Sequence, residues 1–115
     1  MKVAFIGLGN VGGKLAGSLL RNGADLAIHD LDANLVTDFV ARGATAGAAP
    51  AAIMQAADVV ITCLPSPAAS DAVVTAMLPH VGPGTTWMEM STTDAGEVMR
   101  LGAMVEAAGG RAVEC

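Results

Sequence analysis

Two hydrophobic periods take turns along the chain, and together they predict strands and helices in alternation. Val3-Ala4-Phe5-Ile6 is a short continuous apolar run that stops at Gly7, as a strand covered on both faces does. Over residues 10–22, Val11, Leu15, Ala16, Leu19 and Leu20 recur at helical spacing, and Gly23 supplies a C-terminal stop. Gly13 and Gly17 each cost such a helix about 1 kcal/mol relative to alanine, so close packing is expected to require small residues there. Leu26-Ala27-Ile28-His29 predicts a second strand ending at Asp30.

Asp32 can cap a second helix with Leu35, Val36, Phe39 and Val40 on its apolar face, ended by Arg42-Gly43. A short third strand is expected at Ala44-Thr45, and Pro50 suits the first turn of a brief helix through Ile53, Met54 and Ala57. Residues 59–64, Val-Val-Ile-Thr-Cys-Leu, form the strongest strand signal, bounded by Asp58 and Pro65. Ser66-Pro67 opens a helix carrying Val73, Val74, Met77 and Leu78, and a turn follows over 79–84. A fifth strand is expected over 85–90. Asp94 with Glu97 resembles a capping box for a helix through Val98, Leu101 and Val105, closed by Gly109-Gly110. Residues 111–115 then open a sixth strand. Strands joined by single helices pair in parallel through right-handed crossovers, so the expected fold is α/β, a Rossmann doubly wound parallel sheet in one domain over 1–115.

Composition narrows the function classes. The 115 residues are 53% hydrophobic and 15% charged, a balance that supports a packed core rather than disorder. Six Lys and Arg against eleven Asp and Glu oppose binding to nucleic acid, so no nucleic-acid partner is expected. The longest uncharged run, from Ala72 to Met88, is interrupted by Pro79, Gly82, Pro83 and Gly84, so no membrane span is expected either. Two distant cysteines and unclustered histidines predict neither disulfide nor metal site. Val3-Ala4-Phe5-Ile6 is too short for an export signal, which makes a reducing cytoplasm the expected setting.

Candidate chemistry begins at Gly7-Leu8-Gly9-Asn10-Val11-Gly12, a GxGxxG motif. The motif alone is weak in a chain with 14 glycines, but here it follows a strand and opens a helix, as a dinucleotide-binding loop must. Gly7 permits the tight turn, Gly9 lets the backbone approach a pyrophosphate, and Gly12 lets the helix pack closely. The helix N-terminus offers unpaired N–H groups to the anion. Asp30 lies where an acid accepts hydrogen bonds from the adenosine ribose; it would repel a 2′-phosphate, and Leu31-Asp32 brings no Arg to receive one. This favours NAD over NADP. The crevice of such a sheet opens between strands one and four, so Leu64-Pro65-Ser66 is expected to face the glycine loop. Met90-Ser91-Thr92 ends strand five on the nicotinamide side, although position alone also suits Ser91 and Thr92 as strand-end or capping residues.

On these residues the chain resembles the β-hydroxyacid dehydrogenase family, the 3-hydroxyisobutyrate dehydrogenase-like enzymes. Three segments carry the resemblance: 3–13 with Val11 where Met is usual, Asp58-Val59-Val60-Ile61-Thr62-Cys63-Leu64-Pro65, and Glu89-Met90-Ser91-Thr92-Thr93. It implies that Gly7, Leu8, Gly9, Asn10, Val11, Gly12, Asp30, Leu31, Leu64, Pro65 and Thr92 contact the nicotinamide dinucleotide. It further implies a full-length homo-oligomer that moves hydride between a small 3-hydroxy acid and the nicotinamide. Glu114-Cys115 aligns with the Asp-Ala that opens the family's DAPVSGG substrate segment, so the catalytic lysine and helical C-terminal domain are expected beyond it. The lysines present, Lys2 and Lys14, match neither that residue nor its place. No catalytic residue is therefore expected in this chain.

The remaining candidates have ordinary readings. Lys14 stands where Pro is frequent and is expected in solvent, and Glu89 replaces the usual Asp with no evident consequence. Cys63 is expected to be a small buried hydrophobe, Trp87 a core residue, His29 a packing residue, and Asp38, Asp71 and Glu106 solvated helix positions. Two alternatives stay open: a stand-alone NAD-binding regulatory module, or the N-terminal half of an imine reductase or 6-phosphogluconate dehydrogenase relative.

Overall fold

Residues 3–6 alternate sides yet are buried on both, and this fixes the architecture. In a computed structural model, which describes residues 1–47, 49–64, 66–90 and 95–114, β1 (Lys2–Ile6) turns Val3 and Phe5 to one face and Ala4 and Ile6 to the other. Both faces meet helices, so the run is apolar throughout. The other strands are β2 (Asp25–His29), β3 (Thr45–Ala46), β4 (Val59–Thr62), β5 (Thr86–Glu89) and β6 (Arg111–Glu114). All pair in parallel in the order β3-β2-β1-β4-β5-β6. The expected doubly wound sheet is the observed one.

The helices divide between the faces. Ala16 of α1 (Asn10–Arg21) and Phe39 of α2 (Ala33–Ala41) pack on Phe5, Leu26, Ile28 and Ile61. On the opposite face, α3 (Pro50–Met54), α4 (Pro67–Met77) and α5 (Ala95–Ala107) bring Met54, Val74, Met77, Leu101 and Val105 onto Ile6, Val60 and Trp87. The chain changes face between β3 and β4, and β1 and β4 become neighbours whose connections leave in opposite directions. That switch point opens the crevice at their carboxyl ends. Asp32 caps α2 by accepting from the Asn34 N–H at 2.9 Å, and Ser66 caps α4 by accepting from the Ala69 N–H at 3.2 Å.

Several boundaries differ from expectation. β4 ends at Thr62, so Cys63 and Leu64 belong to the following loop rather than to the strand. The apolar run continues past the ladder because these two residues pack against the two cores as well as lining a cleft. β3 lies one residue later than expected, in register with Ala27 and Ile28. α3 stops at Met54 and is followed by a turn closed by the Ala57 N–H donating to the Met54 carbonyl at 3.2 Å. A 3₁₀ turn, Leu78–His80, takes up the start of the expected turn. β5 is shorter than expected at both ends. Asp38 and Asp71 are paired rather than simply solvated: Arg42 meets Asp38 at 3.3 Å, and Arg100 links Asp71 of α4, at 2.7 Å, to its own helix α5. The expected capping role of Asp94 lies outside the described residues. Among those residues no helix is long and apolar enough to cross a membrane.

Candidate dinucleotide site

Gly7 leaves β1 with a φ of +101°, a conformation that disfavours any side chain, and a Cβ there would stand 2.1 Å from the Cys63 carbonyl oxygen. The turn is thus pressed against the chain leaving β4. Its N–H donates to the His29 carbonyl at 3.0 Å, which ties the same turn to the end of β2. Gly12 completes the contact from α1, since a Cβ there would lie 2.1 Å from the Gly7 carbonyl oxygen and 3.3 Å from Cys63 Cβ. Gly9 is different. Nothing lies within 4 Å of where its Cβ would be, so its missing side chain leaves space rather than relieving a contact.

That space belongs to a cleft of about 810 Å³ at the carboxyl ends of the central strands. Its floor and one wall are Gly7, Gly9, Asn10, Val11 and Gly12. The β2 end supplies Asp30, Leu31 and Asp32, and the β4 end supplies Cys63 and Leu64. The size falls in the range of small-molecule and cofactor sites. Asn10 and Val11 open α1, where backbone N–H groups have no intrahelical acceptor, and no acidic side chain occupies that first turn. Among the described residues no Lys or Arg lines the cleft, and Lys14 is exposed outside it. Backbone dipoles are therefore what this wall offers an anion.

Asp30 is already engaged. One carboxylate oxygen accepts the Leu8 N–H at 2.6 Å and the other accepts the Asp32 N–H at 2.8 Å. Each ionised oxygen keeps acceptor capacity beyond these bonds. Leu31, next in sequence, is 97% exposed beside the cleft. Leu8 departs from expectation: its side chain is buried in the α1–α2 core and its N–H is committed to Asp30, so it does not line the cleft. Pro65 and Thr92, with Ser91, lie outside the described residues.

Sequence reasoning missed the apolar wall. Leu35 of α2, Pro50 of α3, Ala69, Ala72 and Val73 of α4, and Met90 after β5 all line the cleft. The available signal was positional, because Pro50 and Ala69 lie in the first turns of helices that start above the sheet's carboxyl edge. Cys63 is half-buried: it packs against the α1–α2 core and also lines the cleft, with its Sγ donating toward the Met90 carbonyl at 3.9 Å. Burial pushes its thiol pKa above the ordinary value, the Glu89 charge pushes it further, and the Gly12 N–H opposes both. Glu89 is itself only 3% exposed, so its carboxylate acts on Cys63 from within the core. Among the described residues no cluster of His, Cys, Asp or Glu could hold a metal ion.

Fold and cleft define a dinucleotide-binding α/β domain. A family model described as the NAD binding domain of 6-phosphogluconate dehydrogenase matches residues 2–115, and the chain belongs to that family. The human cytokine-like nuclear factor N-PAC is 32% identical over 98% of this chain, which corresponds to 21% of its own length. An NAD-dependent L-serine dehydrogenase of Pseudomonas aeruginosa is 38% identical over 79% of this chain and 32% of its own.

Solved structures agree on the fold. A 3-hydroxyisobutyrate dehydrogenase of Mycobacterium tuberculosis, with L-serine, superposes with a TM-score of 0.92 at 26% identity, over 98% of this chain and 39% of that one. An imine reductase of Streptomyces aurantiacus gives 0.89 at 25%, over 99% of this chain and 40% of that one. A reductive aminase of Aspergillus terreus, in complex with NADPH4, cyclohexanone and allyl amine, gives 0.83 at 25%, over 98% of this chain and 40% of that one. The chain thus spans about a fifth of N-PAC and two fifths of the solved neighbours.

Proposed function

We propose that this chain is the NAD-holding part of a dehydrogenase that oxidises a small 3-hydroxy acid. The open Cβ position of Gly9 at the start of α1 carries the reading, because it leaves room for a pyrophosphate against free backbone N–H groups. Asn10, Val11 and Gly12 would receive the phosphates, and Asp30 and Leu31 the adenosine ribose. Leu64, with Pro65 and Thr92 by resemblance, would approach the nicotinamide side. The bound dinucleotide supplies hydride chemistry, and the chain's own groups bind and orient it.

NAD is favoured over NADP because Asp30 and Asp32 stand together at the β2 end, where a 2′-phosphate would meet carboxylates and no cation. The substrate class is supported by the resemblance and by two relatives. One is named for L-serine and the other was solved with it, and L-serine is a small 3-hydroxy acid. Hydride transfer also needs a base for the hydroxyl proton. Neither Lys2 nor Lys14 lines the cleft, so residues 1–115 are expected to bind NADH without turning over a hydroxy acid. Calorimetric titration should show tighter binding of NADH than of NADPH, with no NADH formed from NAD and 3-hydroxyisobutyrate or L-serine. Tighter NADPH binding would overturn the cofactor reading, and measurable turnover would overturn the division of labour.

The similarity to N-PAC, named as a nuclear factor, favours a second reading in which the same domain serves as a nucleotide-binding module without hydride transfer. Turnover of a 3-hydroxy acid by the whole protein would decide against it.

A further inference from the structure

We propose that Asp30 is a positioning residue for the glycine loop as well as the acceptor for a ribose, so that removing it weakens NADH binding without admitting NADPH. The inference rests on the NAD-binding reading and adds a second role for this acid. Asp30 spans two segments that no other described side chain joins by a hydrogen bond: Leu8 in the loop at 2.6 Å and Asp32 at the start of α2 at 2.8 Å. The Leu8 N–H lies between Gly7, whose N–H is held by the His29 carbonyl and whose Cα faces the Cys63 carbonyl, and Gly9, which is open where a Cβ would stand and is tied to α1 through its carbonyl. Gly7 is therefore fixed from below. The next fixed point toward the ligand is the carboxylate of Asp30.

A charge-assisted bond of this length holds the Leu8 peptide in one orientation, and that peptide sets the direction in which Gly9 and the first turn of α1 present their N–H groups. The Leu8 side chain anchors the same residue in the core. Without the carboxylate, the amide loses its acceptor and the loop loses its preorganised shape, and both dinucleotides use that shape. The ribose contact differs in kind. Its loss would penalise NADH alone and relieve the repulsion felt by NADPH.

The test compares the chain with its Asp30→Ala and Asp30→Asn variants, using amide hydrogen exchange without ligand and titrations with NADH and NADPH. Asp30→Ala should accelerate exchange at the Leu8 amide about tenfold or more while Phe5 in β1 stays protected, the scale of a lost charge-assisted bond. NADH affinity should fall at least about tenfold and NADPH affinity should not rise. Asp30→Asn keeps one acceptor oxygen and should lie between the two, and it carries the comparison if the alanine variant does not fold. Unchanged Leu8 exchange, or a gain in NADPH affinity, would overturn the proposal. Failure of the unmodified chain to bind NADH would instead overturn the cofactor reading, while Leu8 exchange would still report on the Asp30 bond.

Discussion

Trp87 Nε1 donates a 3.0 Å hydrogen bond to Thr62 Oγ1, and neither residue is more than 1% exposed. The register places Val60, not Thr62, opposite Trp87, so the bond runs diagonally toward the carboxyl end of β4. It closes the core directly beneath the loop that carries Cys63 and Leu64 into the cleft. The indole packs with Leu101 and Val105 of α5, and its one polar group needs this partner.

Thr62→Val keeps the shape and leaves the indole N–H buried without an acceptor. It should lower stability by about 1–3 kcal/mol. Urea unfolding followed by the fluorescence of Trp87, the single tryptophan, measures this directly. A loss below about 0.5 kcal/mol would show that the bond contributes little.

Cys63 should react slowly. Burial, reinforced by the Glu89 charge, favours the neutral thiol, and only the thiolate is a nucleophile. In a Cys115→Ser background, the pH profile of iodoacetamide labelling should have its midpoint above that of an exposed thiol. Glu89→Gln should move it back down, and bound NADH should suppress labelling because Cys63 lines the cleft. The raised value has a stability consequence of known sign. The contribution of the neutral thiol is complete at neutral pH and is lost as pH rises through the folded-state value. A midpoint below the ordinary thiol range would contradict the account.

Leu31→Arg tests cofactor preference without disturbing Asp30. The residue is fully exposed at the cleft edge, so a guanidinium there costs the fold little and can reach a 2′-phosphate. NADPH affinity should rise about tenfold, and NADH affinity should change much less. No change for NADPH would place the adenosine ribose elsewhere.

The alternation of strands and helices, and with it the doubly wound parallel sheet, was legible in the chain because continuous apolar runs alternate with helical spacing. The loop over 7–12 was legible because a strand precedes it and a helix follows. The limits are equally physical. An apolar run does not mark where a ladder stops, so Cys63 and Leu64 read as strand although they follow β4 in a loop that still packs on the two cores. Gly13 and Gly17 look alike in sequence but differ in space: a Cβ at Gly13 meets the Leu8 carbonyl at 2.9 Å, whereas at Gly17 it meets only the flexible ends of Arg21 and Arg42. The bond between Asp30 and Leu8 joins residues far apart in sequence, and no local pattern announces it. For Leu8, a motif position alone could not separate a backbone role from a cleft-lining side chain.

Gly9 separates fold from ligand most cleanly. A Cβ at Gly12 collides with the Gly7 carbonyl, so Gly12→Ala should weaken both stability and binding, whereas a Cβ at Gly9 meets no protein atom and its φ of −66° suits alanine. The decisive measurement is therefore calorimetric titration of NADH into the chain and into Gly9→Ala, with thermal unfolding of both. The predicted result is an unchanged melting temperature and a loss of NADH affinity of about a hundredfold or more, because the added methyl occupies the place of the pyrophosphate. Equal NADH affinity in the two proteins would contradict the central claim that the glycine loop of this cleft holds the dinucleotide.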